Sequence, residues 1–226
     1  MNQTRKNVCS TKAKRTQLET CDTLQLHSKK VRDIYMTMYD VRKTMFLDQT
    51  GQISMRSQSG NKYIMVLVKI NSNAILVEPM KSRKDAEMIR AYNALLLRLK
   101  RAGIIPKKHV LDNKVSKNMK NHICNTCKMN MELVPPGCHR QNAVEVAIRN
   151  FKSYFLSVLA GVAYDFPQNL WDCLLPQTEI TLNLIWQSNA MPTVSAYAHL
   201  SGPFDYNKMP LAPMGCEAQI HEKTNK

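Results

Sequence analysis

The apolar positions of the chain fall into two rhythms. Short, nearly unbroken apolar runs occupy "TMFLDQTGQI" from Thr44, "YIMVLVKI" (63–70) and "AILVEPM" (74–80). Bounded by the turn-forming "RSQSGNK" and "NSN", they predict three strands in an antiparallel meander. The next segment, "SRKDAEMIRAYNALLLRLKRAG", changes to helical spacing, with Met88, Ala91, Tyr92, Leu95 and Leu99 on one face. Ser82 is placed to cap this helix, with Asp85 three residues on, and Gly103 is placed to end it. The stripe itself is core packing.

"KKHVLDN" then reads as a fourth strand, and "SKNMKNHICNTCK" as a short polar helix capped by Ser116. "MELVPP" is a fifth strand, closed by two prolines that cannot continue a ladder. A long helix is predicted from about Asn142 to Ala163. "FPQNLWDCLLPQTEITLNLIWQS" is a further helical pair, broken at Pro176. The tail after Asn189 reads as loop. Three strands, helix, strand, helix, strand and then helices imply an α/β fold, a mixed five-stranded sheet with helices on both faces. The organisation expected is a polar, basic, partly disordered extension over 1–43, a folded core over 44–200 and an irregular tail over 201–226. A short helix is expected near "KKVRDIYMTMYDVRK" within the extension.

At 226 residues and 44% apolar, the chain suits one medium domain with extensions. Its formal net charge of +15 adds a partner to the picture: a polyanion, with nucleic acid first, against the plainer reading of a solvated basic surface. No apolar run reaches bilayer length, and "MNQTRKNVCSTKAKRTQLET" lacks the apolar stretch of a secretory signal. Seven scattered cysteines, an odd number, fit a reducing, intracellular setting. The basic clusters of the extension suit either a nuclear-import patch or disorder.

Three acids stand out by position. Asp48 lies in the first strand, Asp112 at the carboxyl end of the fourth, and Glu145 in the first turn of the long helix. Each alone has an ordinary explanation. Asp112-Asn113 starts a turn, Asp48 ends a strand, and Asn142-x-x-Glu145 has capping-box spacing. Together they would converge in the crevice beyond the strand ends and offer oxygen ligands only, which magnesium and manganese prefer. Glu145, Arg149 and Lys152 follow at steps of four and three, away from the apolar stripe of Val144, Ile148, Phe151, Phe155 and Leu159. A carboxylate in line with two cations suits a metal beside a phosphate backbone, or simply a solvated face with a Glu–Arg pair.

With "FLDQTG" (46–51), "VLDN" (110–113) and "PPGCHRQNAVEVAIRNFKSYF" (135–155) in place, the chain resembles the catalytic core of integrases of retroviruses and long-terminal-repeat retrotransposons. The resemblance covers roughly residues 44 to 200, and 32 residues separate the second and third acids, close to the family's usual gap. It implies a ribonuclease H-like fold and two-metal phosphoryl transfer in DNA 3′-end processing and strand transfer. Asp48 would bridge two Mg2+ or Mn2+ ions, with Asp112 and Glu145 each holding one. It also implies DNA partners (element ends and target), a homo-oligomer, and action in the nucleus. His139, Arg140, Asn142, Arg149, Lys152 and Lys114 become candidate nucleic-acid contacts.

The chain departs from the family at Lys114, where many relatives carry glutamate or glycine. A lysine there can weaken a cation site or meet a phosphate. The end at "GCEAQIHEKTNK" reads as a fragment of a polyprotein or a decayed copy. The alternative function is therefore an inactive remnant that binds nucleic acid through its basic surface. Cys124-x-x-Cys127, with His122 before it and Cys138-His139 after, has a zinc-like spacing but falls on a predicted helix and not on a knuckle. His27, Cys9 and Cys21 are too few to form the family's zinc-binding amino-terminal domain in residues 1–43.

Overall fold

In the computed structural model, residues 43–111, 115–133, 143–213, 216 and 219 are described. Five strands form one sheet in the order β3-β2-β1-β4-β5. The first three, β1 (Thr44–Gln49), β2 (Tyr63–Lys69) and β3 (Ala74–Met80), make the expected antiparallel meander. A tight turn joins β2 to β3, with Asn73 at φ 55°, a conformation that asparagine tolerates better than most residues. Helix α1 (Asp85–Arg101) then crosses to β4 (Lys108–Leu111), which runs parallel to β1. A second crossover leads to β5 (Asn130–Leu133), parallel to β4. It is made of α2 (Lys117–Asn121) and a π-helical turn (His122–Thr126).

Alternation along the strands divides the core into two layers. Met45, Leu47, Met65 and Leu67 pack against Ala91, Tyr92, Leu95 and Leu99 of α1, and Met119 and Ile123 extend the same cluster. On the other side lies α3 (Ala143–Gly161), in contact with β1 and β2. Of the predicted apolar stripe, Ile148, Phe151 and Phe155 are buried and Leu159 is half-buried, while the Val144 side chain lies outside what is described. Phe155 meets the buried Trp171 edge-on, in a 3-10 segment (Gln168–Leu174) that leads into α4 (Leu175–Ile185). Pro176 falls in the first turn of α4, where its missing N–H costs nothing.

Helix α4 closes the outer edge of the sheet. The backbone of Ile75 in β3 donates to Asn183 Oδ1 at 2.9 Å and accepts from Asn183 Nδ2 at 2.7 Å. Val77 N donates to Glu179 Oε2 at 2.7 Å, and Arg98 pairs with Glu179 while donating to Val77 O at 3.1 Å. Burial pushes the Glu179 carboxyl above its ordinary value despite that guanidinium. These side chains do for β3 what a sixth strand would do.

Two local details differ from the sequence expectation. Helix α1 begins at Asp85 with Lys84 at the cap position and no side-chain cap. Glu87 instead reaches back and accepts from Lys81 N at 3.0 Å, while Arg83 is turned toward β1 and its following loop. The segment after Asn189, expected as loop, contains α5 (Ala196–Ser201), started by Ser195 Oγ accepting from Ala198 N at 3.1 Å. The short helix escaped notice because "AYAHLS" is too brief for a period. Among the described residues, no helix is long and apolar enough to cross a membrane.

Candidate functional site

β1 and β4 run in the same direction with Leu47 opposite Leu111. The residue after each of these two leucines is an aspartate, Asp48 and Asp112. Asp48 is half-buried near the carboxyl end of β1, and its Oδ1 accepts from Gln49 N at 2.7 Å. It lines a cavity of about 180 Å³ with Gln49, Arg83, Met88, Leu111 and Val115. The cavity therefore opens where the parallel strands stop, the place where open α/β sheets hold ligands.

Two neighbours of Asp48 were not legible from the sequence. Gln49 has a buried Oε1 with no hydrogen-bond partner, and side-chain alternation along β1 directs it to the face opposite Asp48. Arg83 comes from the loop between β3 and α1. Its Nη2 donates to Thr50 O at 2.8 Å, and its guanidinium carbon lies 4.9 Å from the centroid of the Tyr63 ring. Hydrogen bonding and stacking together hold this cation in place. The cavity is thus bordered by one carboxylate of the kind a hard divalent ion prefers and by a positive charge that opposes such an ion. Among the described residues, Asp48 is its one carboxylate, and no group of three or more His, Cys, Asp and Glu side chains could hold a metal.

Asp112 and Lys114 lie outside the described residues, as do His139, Arg140 and Asn142. Glu145, Arg149 and Lys152 are described. All three are exposed on α3, about a quarter turn around the helix from the buried Ile148, Phe151 and Phe155. Spaced over two helical turns, they make a single polar strip with two cations below a carboxylate. Lys152 also borders a groove with Thr50, Gly51 and Gln52, the loop that follows Asp48. The strip and the Asp48 loop are neighbours.

The cysteine pair sits on helix, as its spacing predicts. Cys124 is exposed on the π-helical turn, and Cys127 ends it half-buried. Cys127 Sγ lies 3.6 Å from His122 Nε2, which is 2.8 Å from Asn93 Oδ1. Burial pushes the Cys127 thiol up, against the pull of Lys100. A thiol held protonated is a poor metal ligand.

No protein-family model matches the chain, and no curated protein does. Solved structures do match in fold. A chain of the simian T-cell lymphotropic virus intasome in complex with PP2A regulatory subunit B56 gamma matches with a TM-score of 0.57 and 16% identity, over 81% of this chain. The match spans 60% of that longer chain. The catalytic core domain of BIV integrase matches with a TM-score of 0.51 at 16% identity, over 70% of this chain and 93% of that one. The HTLV-2 integrase catalytic core domain in complex with magnesium matches with a TM-score of 0.53 at 18% identity, over 70% and 96%. At this identity the likeness is one of fold.

Proposed function

We propose that this chain is a nucleic-acid-binding domain on an integrase-core frame, gripping the phosphate backbone of DNA through its positive exterior. The observation that carries the reading is where the charge goes. The chain has a formal net charge of +15, and among its described lysines and arginines Lys69 alone is buried. The remainder face solvent or line surface clefts, and those not engaged with a carboxylate, as Arg90, Arg98, Lys108 and Lys208 are, can displace condensed counterions from DNA. Arg149 and Lys152 on α3, beside the Asp48 loop, are the contacts nearest the candidate site. His139, Arg140, Asn142 and Lys114 belong to the same proposal by sequence position. Self-association on paired DNA ends, in the nucleus, is part of it too.

The test is fluorescence anisotropy of a labelled DNA duplex titrated with the protein over a range of potassium chloride concentrations. Binding whose logarithm falls steeply and linearly with the logarithm of salt supports the reading. Absence of duplex and single-strand binding at low salt defeats it.

A second reading, divalent-metal-dependent end processing and strand transfer, is favoured by Asp48. It stands near the carboxyl end of β1, which runs parallel to β4. Asp48, Asp112 and Glu145 would hold magnesium or manganese, which would stabilise the attacking and leaving oxygens of an in-line displacement. Cleavage or joining of duplex ends in manganese, abolished by Asp112→Asn, would select this reading. Salt-sensitive binding without turnover would leave the first.

A further inference from the structure

Far from Asp48, the opposite end of the sheet carries its own concentration of positive charge. Strand β1 runs from Thr44 toward Asp48, so Lys43 lies at the strand's start, roughly 16 Å from Asp48 at strand rise. Lys107 N and Lys108 N both donate to Lys43 O, at 2.9 and 3.1 Å, and Asn130 N donates to Lys107 O at 2.9 Å. These bonds tie the starts of β1, β4 and β5 into one ledge. Helix α1 ends on the same ledge with Lys100 and Arg101 in its last turn, where the helix carbonyls favour cations. Lys100 acts electrostatically on the Cys127 thiol, which places it beside the turn at Lys128. Lys128 has φ 52°, in the left-handed region.

The six cations come from four separate chain segments, and five of them are exposed. Lys108 is half-buried and pairs with Glu132. Lys100, Arg101, Lys107 and Lys128 form no ion pair among the described residues. The acids of α1, Asp85 and Glu87, are at its other end. Such a concentration of like charge costs self-repulsion, which a polyanion relieves.

We infer that this rim at the amino-terminal ends of β1, β4 and β5 is a second nucleic-acid contact surface, taking duplex phosphate independently of the Asp48 end. The inference rests on the proposed nucleic-acid function and adds a location to it. A protein with phosphate-binding surfaces at both ends of one sheet can hold two duplex segments at once, one along α3 and one along the rim.

The test compares two variants of the full chain. One carries Lys100→Ser, Arg101→Ser, Lys107→Ser and Lys128→Ser, and the other Arg149→Ser and Lys152→Ser. All six positions are exposed, and matching thermal unfolding would show that folding is intact. The rim variant is expected to bind a labelled duplex at least about tenfold more weakly near 0.1 M salt, with a salt slope shallower by about 3.6 if all four meet phosphates. In the wild-type complex, Lys100, Lys107 and Lys128 are expected to be protected from acetylation as read by mass spectrometry. Unchanged affinity and slope together with unprotected lysines would overturn the inference. So would a rim variant that loses binding only to phosphatidylserine-containing vesicles. If the α3 variant alone weakens duplex binding, the rim is dismissed and the proposed function survives. If the wild-type protein ignores duplex, both fall.

Discussion

Asn183 exchanges two hydrogen bonds with the backbone of Ile75, at 2.9 and 2.7 Å, and so completes an edge strand from a helix. Both residues are buried. Asn183→Ala would leave a buried N–H and a buried C=O without partners, at about 1–3 kcal/mol each less what water repairs. We expect a loss of about 2–3 kcal/mol in urea unfolding, and concentration-dependent self-association as the β3 edge is bared. A variant with unchanged unfolding midpoint and monodisperse behaviour would contradict this account.

His109 is fully buried, stacks on Tyr92, and has one ring nitrogen without a partner. Burial lowers its pKa from 6.5 to about 3. The unfolded chain therefore takes up the proton first as pH falls. The stability this group contributes is fully present above about pH 6.5 and is lost toward pH 3, at up to about 1.4 kcal/mol per pH unit. Glu179, raised by burial, works in the opposite sense at acid pH, so the comparison is between variants. His109→Gln should have a shallower acid limb than the wild type in denaturant titrations between pH 6 and 4. Parallel limbs would contradict the assignment.

Arg149 and Lys152 share one exposed face of α3. If both meet phosphates, Arg149→Ala with Lys152→Ala should flatten the salt slope of duplex binding by about 2. The effect should be nearly the same for duplexes of unrelated sequence, because phosphate contacts carry no base information. A sequence-dependent loss would require base contacts instead.

Arg83 faces the same cavity as Asp48. Replacing this exposed side chain by glutamine removes one positive charge, worth about 1 kcal/mol to a divalent ion about 8 Å away at a water-like dielectric near 80. Manganese binding to Arg83→Gln, followed by water-proton relaxation, should strengthen about fivefold over the wild type. Equal affinities would mean that Asp48 does not take part in holding the ion.

The strands and long helices were legible because each has its own period. Val66, Leu67 and Val68 in a short run, or Phe151 and Phe155 four residues apart, announce their element without knowledge of the rest. Asp48 was legible for a related reason, as an acid inside an apolar strand. Glu179 and Asn183 were not. Their part depends on meeting the backbone of β3 more than a hundred residues earlier in the chain, and nothing local marks a helix as the cover of a sheet edge. Arg83 hid for the same reason, as one more cation in "KSRK". The rim is assembled from Lys43, Lys100, Arg101, Lys107, Lys108 and Lys128, which only the crossovers bring together. Composition counted those charges but could not sort them.

The central strand has one companion close by in sequence and another far away. β2 and β3 can zip onto β1 soon after synthesis, whereas β4 must first follow α1 and then find β1 from the far side. Parallel pairing at such separation is slow to form. The β1–β4 seam that ends beside Asp48 is thus finished late in folding, after the hairpins exist. It is also the place where a destabilised chain would come undone while the meander still holds.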